Sequence, residues 1–341
     1  MKVVVVGATG AVGLEMMGLL AERAFPADEV VAVATARSAG RRIAFGDRDV
    51  EVVALAEEVF DGADVAIFDV PDEVSTEWAP RAAARGAIVV DNSAAWRMDP
   101  EVPLVVPEVN PHAVTERPRG IIASANCTTL AIVVPLGALH ERAGLQRLVL
   151  ASYQATSGSG RAGAEELWAQ TLQAAGSPEA VARGLGRDVL EAGPTFGHPI
   201  ALNVIPQCGS VKDQGYTSEE LKLCYETRKI IGLPELAVTA TCVRVPVVTG
   251  HGVAVHAEFG EPITPEDARE ILDKTAGVEV VDDPAAGLYP TPLEAAGRDP
   301  CYVGRIRQDL FSDSALELFC VADNLRKGAA LNSIQIAELL V

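Results

Sequence analysis

The sequence predicts an α/β chain: a doubly wound parallel sheet in the N-terminal part, then an α+β domain with a large mixed sheet. Three observations lead there. Short, wholly apolar runs alternate with helical patterns through the first third, as βα units covered on both faces do. A glycine-rich turn joins the first run to the first helix. Long strands with in/out alternation follow one another late in the chain, which favours antiparallel or mixed pairing.

Val3–Val6, Val30–Thr35, Val65–Val70 and Ala87–Val90 read as the first strands, with helices over Gly13–Arg23 and Glu73–Arg85 between them. Leu104–Pro107 and Ile121–Ala123 close this sheet. A helix runs from Cys127 towards His140, and Leu145–Gln154 reads as a strand. Glu165–Ala175, Ser218–Ile231 and Pro265–Thr275 are helical inserts among the long strands Leu236–Val248, Val253–Phe259, Tyr302–Leu310 and Leu316–Val321. In Val253–Phe259 the apolar side chains occupy alternate positions, and His256 and Glu258 face the other way. Asn324–Leu340 reads as a closing helix. The expected domains are residues 1–125 with 323–341, and residues 126–322.

Composition narrows the function. Of 341 residues, 49% are hydrophobic and 22% charged, which excludes a disordered chain. Lys and Arg number 28 against 47 Asp and Glu, a net charge of −19 that disfavours nucleic acid or an anionic membrane as partner. The longest uncharged stretches, Gly120–His140 and Gly193–Val211, carry prolines and polar groups, so neither reads as a membrane span. The N-terminal valine run is too short for a signal-peptide core, and a cytoplasmic protein is expected. The six cysteines form no C-x-x-C pair, the nearest two being Cys208 and Cys224, so no metal is expected. Most of them should be buried small hydrophobes.

Four features carry chemistry. Gly7, Thr9, Gly10, Ala11, Val12 and Gly13 belong to a G-x-x-G-x-x-G turn between a strand and a helix. Such a turn brings backbone N–H groups and a helix N-terminus to a pyrophosphate, and it makes the first domain Rossmann-like. The plain alternative is a tight turn that needs glycine for positive φ. At the end of the second strand, where an NAD site places a carboxylate, stand Arg37, Ser38, Arg41 and Arg42, which suit the 2′-phosphate of NADP. Cys127 sits at a strand-to-helix junction beside Asn126, where a helix N-terminus stabilises a thiolate. It could equally be a buried cysteine under a capping Asn126 or Thr128. Of the five histidines, His251 is the best partner base, because it ends a strand between Gly250 and Gly252, which should leave the ring accessible.

These features, with Asp91–Met98, Gln154–Gly158, Ser218–Lys222, Glu226–Ile230, Cys242–Val247 and Asp323–Ala330, resemble the aspartate-β-semialdehyde dehydrogenase family over nearly the whole chain. The resemblance implies a catalytic and dimerisation role for the second domain and a homodimer or homotetramer. It implies NADPH-dependent reductive dephosphorylation of L-aspartyl-4-phosphate to the semialdehyde, in lysine, threonine, methionine and diaminopimelate biosynthesis. Cys127 would be the nucleophile that forms a thioester, His251 its base and later an acid, and Gln154 would orient the acyl group or the cysteine. Arg244 would hold the substrate carboxylate and Glu219 its amine; Arg97 and Lys222 would take the phosphate, and Asn126 would line the substrate. Arg37, Ser38, Ser157, Gly158 and Asn324 would join the glycine turn around NADP(H). One departure stands out: where relatives carry a small turn, this chain has Asp69-Val70-Pro71-Asp72-Glu73. N-acetyl-γ-glutamyl-phosphate reductase is the nearest alternative, but it carries Gly-Cys-Tyr at the nucleophile. Glyceraldehyde-3-phosphate dehydrogenase shares only the Cys-Thr-Thr core. A non-catalytic dinucleotide sensor would have no need of Cys127, Gln154, Arg244 and His251 together.

Overall fold

The structure, a computed structural model, describes residues 1–341. The chain divides into two compact units: Met1–Val134 with Tyr225–Pro234 and Leu325–Val341, and Pro135–Cys224 with Glu235–Asn324.

The first unit is built on an eight-stranded sheet. Its elements are β1 (Lys2–Val6), α1 (Ala11–Glu22), β2 (Glu29–Ala34), β3 (Arg42–Phe45), β4 (Arg48–Ala54), β5 (Val65–Phe68), α2 (Asp72–Ala84), β6 (Ile88–Asp91), β7 (Leu104–Val105) and β8 (Ile121–Ser124). The strand order is β3-β4-β2-β1-β5-β6-β8-β7, parallel except for the β3–β4 hairpin. The valines of β1 are buried on both faces, as expected for a central strand. Successive strands leave β1 in opposite directions, β2 to one side and β5 to the other. The turn after β1 therefore lies at the topological switch point, where doubly wound sheets bind ligands. The hairpin was not foreseen from the apolar runs, because β3 and β4 show mostly exposed side chains.

The closing segment packs on this core through Ala330, Leu331, Ile334, Ile336 and Ala337. It is not the single helix expected from Asn324. Arg326–Leu331 is a π-helical turn in which the Ala330 N–H bonds to the Leu325 carbonyl, and an α-helix covers only Asn332–Glu338. The apolar spacing of Ala329, Ala330 and Leu331 suits either winding, so periodicity could not tell them apart.

The second unit is built on a six-stranded mixed sheet. Its strands are β9 (Leu145–Gln154), β10 (Ala237–Arg244), β11 (His251–Phe259), β12 (Val278–Val280), β13 (Cys301–Gln308) and β14 (Ala315–Ala322), in the order β10-β9-β11-β14-β13-β12. The expected strand Leu236–Val248 stops at Arg244 because Pro246 has no N–H to give. The helices are α3 (Cys127–Ala143), α4 (Gly160–Ala175), α5 (Ser218–Ile231) and α6 (Pro265–Asp273); the unit division passes through α3 and α5. No helix is long and apolar enough to cross a membrane.

β9 and β10 run parallel with Gln154 opposite Arg244, while β11 runs antiparallel to β9 and to β14, with His251 opposite Ala322. The last residues of β9, β10 and β14 and the first of β11 therefore share one edge of the sheet. That edge gathers Gln154, Arg244 and His251, which lie up to 97 residues apart in sequence (251 − 154 = 97).

Candidate active site

In the first unit, Gly7 adopts a φ of +94°, and a Cβ there would lie 2.0 Å from the Asp69 carbonyl oxygen. A Cβ on Gly13 would lie 2.2 Å from the Gly7 carbonyl oxygen. Both glycines are thus required by close backbone approach. The N–H groups of Gly7 and Ala8 donate to the Val33 carbonyl at 2.9 and 3.1 Å, which fixes the turn against β2. α1 begins at Ala11 with no side-chain cap, so its first N–H groups are left for a ligand. The loop from Thr9 through Val12 fits an anionic pyrophosphate.

Arg37 and Ser38 lie in a 3₁₀ turn directly after β2, Arg37 exposed and Ser38 buried. Arg42 is engaged on the hairpin, 3.7 Å from the Asp49 carboxylate. Asp69, the unusual residue of the β5–α2 turn, accepts a hydrogen bond from Asn92 at 2.9 Å. Its other carboxylate oxygen would be 3.7 Å from a Cβ on Gly10. Burial pushes its carboxyl above the usual range, and the Asn92 bond opposes that.

Cys127 is the first residue of α3. The Asn126 side chain accepts from the Thr128 N–H at 3.0 Å and the Asn126 carbonyl from the Leu130 N–H at 2.9 Å, so Asn126 is the N-cap. Cys127 is the one cysteine that is not buried, and no disulfide is present. Burial pushes the Cys242 and Cys320 thiols far up, which leaves them inert. Arg97 is buried and donates to Glu226 at 3.1 Å and to the Asn92 carbonyl at 2.8 Å.

In the second unit, the backbone of one residue, Ala155, orders two side chains. The Ala155 N–H donates to His251 Nδ1 at 3.0 Å, and the Ala155 carbonyl accepts from Arg244. The neutral imidazole therefore carries its hydrogen on Nε2, and that atom has no hydrogen-bond partner. His251 is 1% exposed, which corrects the expectation of an accessible ring. Gly250 is needed instead for its φ of +97° and its approach to Pro292, and Gly252 for its approach to Phe319. Burial first, and Arg244 second, lower the His251 pKa to about 3. Arg244 is 6% exposed, lies over the Phe196 ring at 5.7 Å and forms no ion pair. A Cβ on Gly158 would fall 3.0 Å from the Arg244 guanidinium and 3.2 Å from His251 Nε2, so glycine keeps the space between them open.

Gln154 is buried at the end of β9. Asn324 donates to Ser157 Oγ at 2.9 Å and accepts the Gly250 N–H at 2.8 Å. Lys222 donates to Glu219 one helical turn away, so the proposed phosphate and amine ligands pair with each other. His256, Asp309 and Glu317 have ligand atoms within 4.8 Å, but both ring nitrogens already face carboxylates, Glu317 at 2.7 Å and Glu258 at 3.3 Å.

Sequence reasoning quoted Glu226 and Lys229 without giving them a role. Lys229 Nζ donates to the carbonyls of Arg97, Asp99 and Val102, each at 2.8 Å. The available signal was the spacing of Glu219, Lys222, Glu226 and Lys229, which repeats on one helix face.

Residues 2–117 match the family described as "Semialdehyde dehydrogenase, NAD binding domain", and residues 136–327 match "Semialdehyde dehydrogenase, dimerisation domain". An aspartate-semialdehyde dehydrogenase of Corynebacterium melassecola is 52% identical, over 99% of this chain and 99% of its own length. A crystal structure of aspartate semialdehyde dehydrogenase II from Vibrio cholerae, complexed with ASA, is 42% identical with a TM-score of 0.92, covering 99% of this chain and 97% of that one. An aspartate semialdehyde dehydrogenase with NADP from Candida albicans is 25% identical with a TM-score of 0.74, covering 99% and 98%.

Two outcomes follow from the geometry. An ionised Asp69 opposes a bound pyrophosphate, so the cofactor KM should rise as pH climbs through the raised Asp69 pKa. Asp69→Asn keeps an acceptor for Asn92 and should flatten that limb; an unchanged KM–pH profile in the variant would refute the assignment. ¹⁵N NMR of histidine-labelled protein, assigned with His251→Asn, should show a neutral Nε2–H ring at His251 from pH 5 to 8. An Nδ1–H ring or a charged one counts against the Ala155 contact.

Proposed function

The chain belongs to the aspartate-semialdehyde dehydrogenase family, and from that premise we propose how its residues divide the work. The protein is an NAD(P)-linked oxidoreductase of amino-acid biosynthesis that interconverts L-aspartyl-4-phosphate and L-aspartate-4-semialdehyde. Its dimerisation domain points to a homo-oligomer; we take it as a cytoplasmic homodimer or homotetramer. The functional domains we assign are residues 1–125 with 323–341, and residues 126–322.

Cys127 is the nucleophile. Its thiolate, favoured by the α3 N-terminus, attacks the acyl carbon; the bond to phosphate breaks, and phosphate leaves and takes up a proton. A reduced nicotinamide, held by the residues named below, would supply the hydride chemistry that reduces the thioester. The C–S bond then breaks, returning thiolate and releasing semialdehyde. Sulfur enters and leaves this cycle as thiolate. His251 is therefore needed as a donor to the developing oxyanion, and its neutral Nε2–H is suited to that. The base role implied by family resemblance needs the Nδ1–H ring, which would set that hydrogen against the Ala155 N–H.

Arg244 takes the substrate carboxylate as a bidentate pair, and Glu219 takes the amine. Arg97 and Lys222 take the phosphate, while Gln154 and Asn126 orient the acyl group. Gly7, Thr9, Gly10, Ala11, Val12 and Gly13, together with Ser157, Gly158 and Asn324, are the residues that would hold the cofactor. Arg37 and Ser38 hold a 2′-phosphate, so NADP is preferred to NAD. What carries this assignment is the buried guanidinium of Arg244, which has no acidic partner and is held, like His251, by the backbone of Ala155.

Phosphate-dependent NADP reduction should proceed with aspartate semialdehyde and fail with N-acetylglutamate semialdehyde. Cys127→Ser should abolish it while cofactor binding persists; turnover within a few-fold of wild type would exclude Cys127 as nucleophile. A charge-assisted hydrogen bond is worth roughly 1.5–3 kcal/mol, so NADP should be preferred by about 10–100-fold in kcat/KM. Arg37→Ala should erase most of that preference. Equal use of both cofactors by the wild type would reduce Arg37 to a solvated turn residue.

A further inference from the structure

We propose that Glu226 is a positioning residue for this reaction, a brace that ties the guanidinium of Arg97 to the peptide leading into Cys127. The inference rests on the roles given above to Cys127 and Arg97. The Glu226 side chain is 1% exposed. One carboxylate oxygen accepts from Arg97 at 3.1 Å, and the other accepts the Asn126 backbone N–H at 2.6 Å. Asn126 is the N-cap of the nucleophile's helix, and its own side chain accepts the Thr128 N–H at 3.0 Å. Cys127 is thus flanked by two anchored N–H groups, one held by Glu226 and one by Asn126.

The other side of the brace is equally fixed. Arg97 donates a second hydrogen bond to the Asn92 carbonyl at 2.8 Å. Lys229, one turn beyond Glu226 on α5, holds the carbonyls of Arg97, Asp99 and Val102. The turn that presents Arg97 is therefore clamped at its side chain and its backbone by one helix.

A buried carboxylate beside a thiolate and an incoming phosphate is electrostatically unfavourable unless its charge is used. Here both oxygens are used, one on a cation and one on a backbone donor. Glutamine has one acceptor oxygen, so Glu226→Gln keeps the volume but breaks one of the two links. Aspartate keeps both acceptors but withdraws them by one methylene. The phosphate-side cation and the nucleophile should therefore be disturbed together.

The test uses the full-length enzyme in the phosphate-dependent oxidation of aspartate semialdehyde, with iodoacetamide alkylation of Cys127 measured with and without inorganic phosphate. A misplacement of catalytic groups by about 1 Å can cost on the order of 100-fold, so Glu226→Gln should lower kcat and raise the phosphate KM by about ten-fold or more each. Phosphate should protect Cys127 in the wild type, and Glu226→Gln should remove that protection while melting temperature and cofactor binding stay near wild type. Glu226→Asp should recover part of both. Wild-type phosphate KM and protection in folded Glu226→Gln would overturn the proposal. If Glu226→Gln does not fold, the same readouts on Glu226→Asp decide, and an unchanged phosphate KM there overturns it. Cys127→Ser and Arg97→Lys run alongside separate the two levels. Turnover by Cys127→Ser, or a normal phosphate KM in Arg97→Lys, would fail the roles assigned to those residues. Normal behaviour of the Glu226 variants alone would fail only the brace.

Discussion

The backbone of Ala155 is the constraint on which the second unit's candidate site depends. Its N–H fixes the hydrogen of His251 on Nε2, and its carbonyl holds the Arg244 guanidinium. The backbone of one residue can do both because three strands meet at the same end of the sheet. β9 delivers Ala155, its parallel neighbour β10 delivers Arg244, and antiparallel β11 begins with His251. Rotation of the Gln154–Ala155 peptide would withdraw the donor from His251, and rotation of the Ala155–Thr156 peptide would release the Arg244 guanidinium. The surrounding bonds oppose such a rotation: the N–H groups of Thr156 and Ser157 donate to the Val247 and Val248 carbonyls, and Asn324 ties Ser157 to Gly250. Preorganisation of this kind resides in the ladder and its continuation, so it requires no flexible side chain to find its place.

In the first unit the same logic acts through helix ends. The glycine turn leaves the start of α1 uncapped for an anion, whereas the start of α3 is capped by Asn126, with Cys127 placed just inside it. An uncapped terminus retains its N–H groups for a ligand. A capped one holds its first residue rigidly while the dipole still favours a thiolate. The two helix starts thus suit the different uses we propose for them, one for a phosphate and the other for a nucleophile.

Local signals made much of this legible. Gly7 and Gly13 could be read because only glycine survives such backbone approach, and Cys127 because a strand-to-helix junction is visible in the apolar pattern. His251 could be read as a strand-end residue, but its burial and tautomer could not, since Ala155 lies 96 residues before it (251 − 155 = 96). The brace at Glu226 was hidden for the same reason: its partners, Arg97 and Asn126, are 129 and 100 residues away. The β3–β4 hairpin escaped because an exposed edge has little apolar alternation, and the π-helical turn because its bond pattern leaves no mark on periodicity. What the sequence withholds is long-range pairing, and most of the positioning chemistry here is long-range.

A chain with a net charge of −19 must nonetheless attract anions. At physiological salt, fields fade over ~10 Å, so the outcome is decided by neighbours. Arg97 and Lys222 already face Glu226 and Glu219, which weakens their pull but holds their donors in place. Arg244 differs: it is buried, it has no acidic partner, and the cost of that arrangement is offset only when a carboxylate arrives. Until then its charge also helps to keep His251 neutral. A bound substrate carboxylate would remove that contribution. The larger cause, burial, would persist. The substrate carboxylate we propose for Arg244 would thus neutralise that cation while burial still favours the uncharged ring.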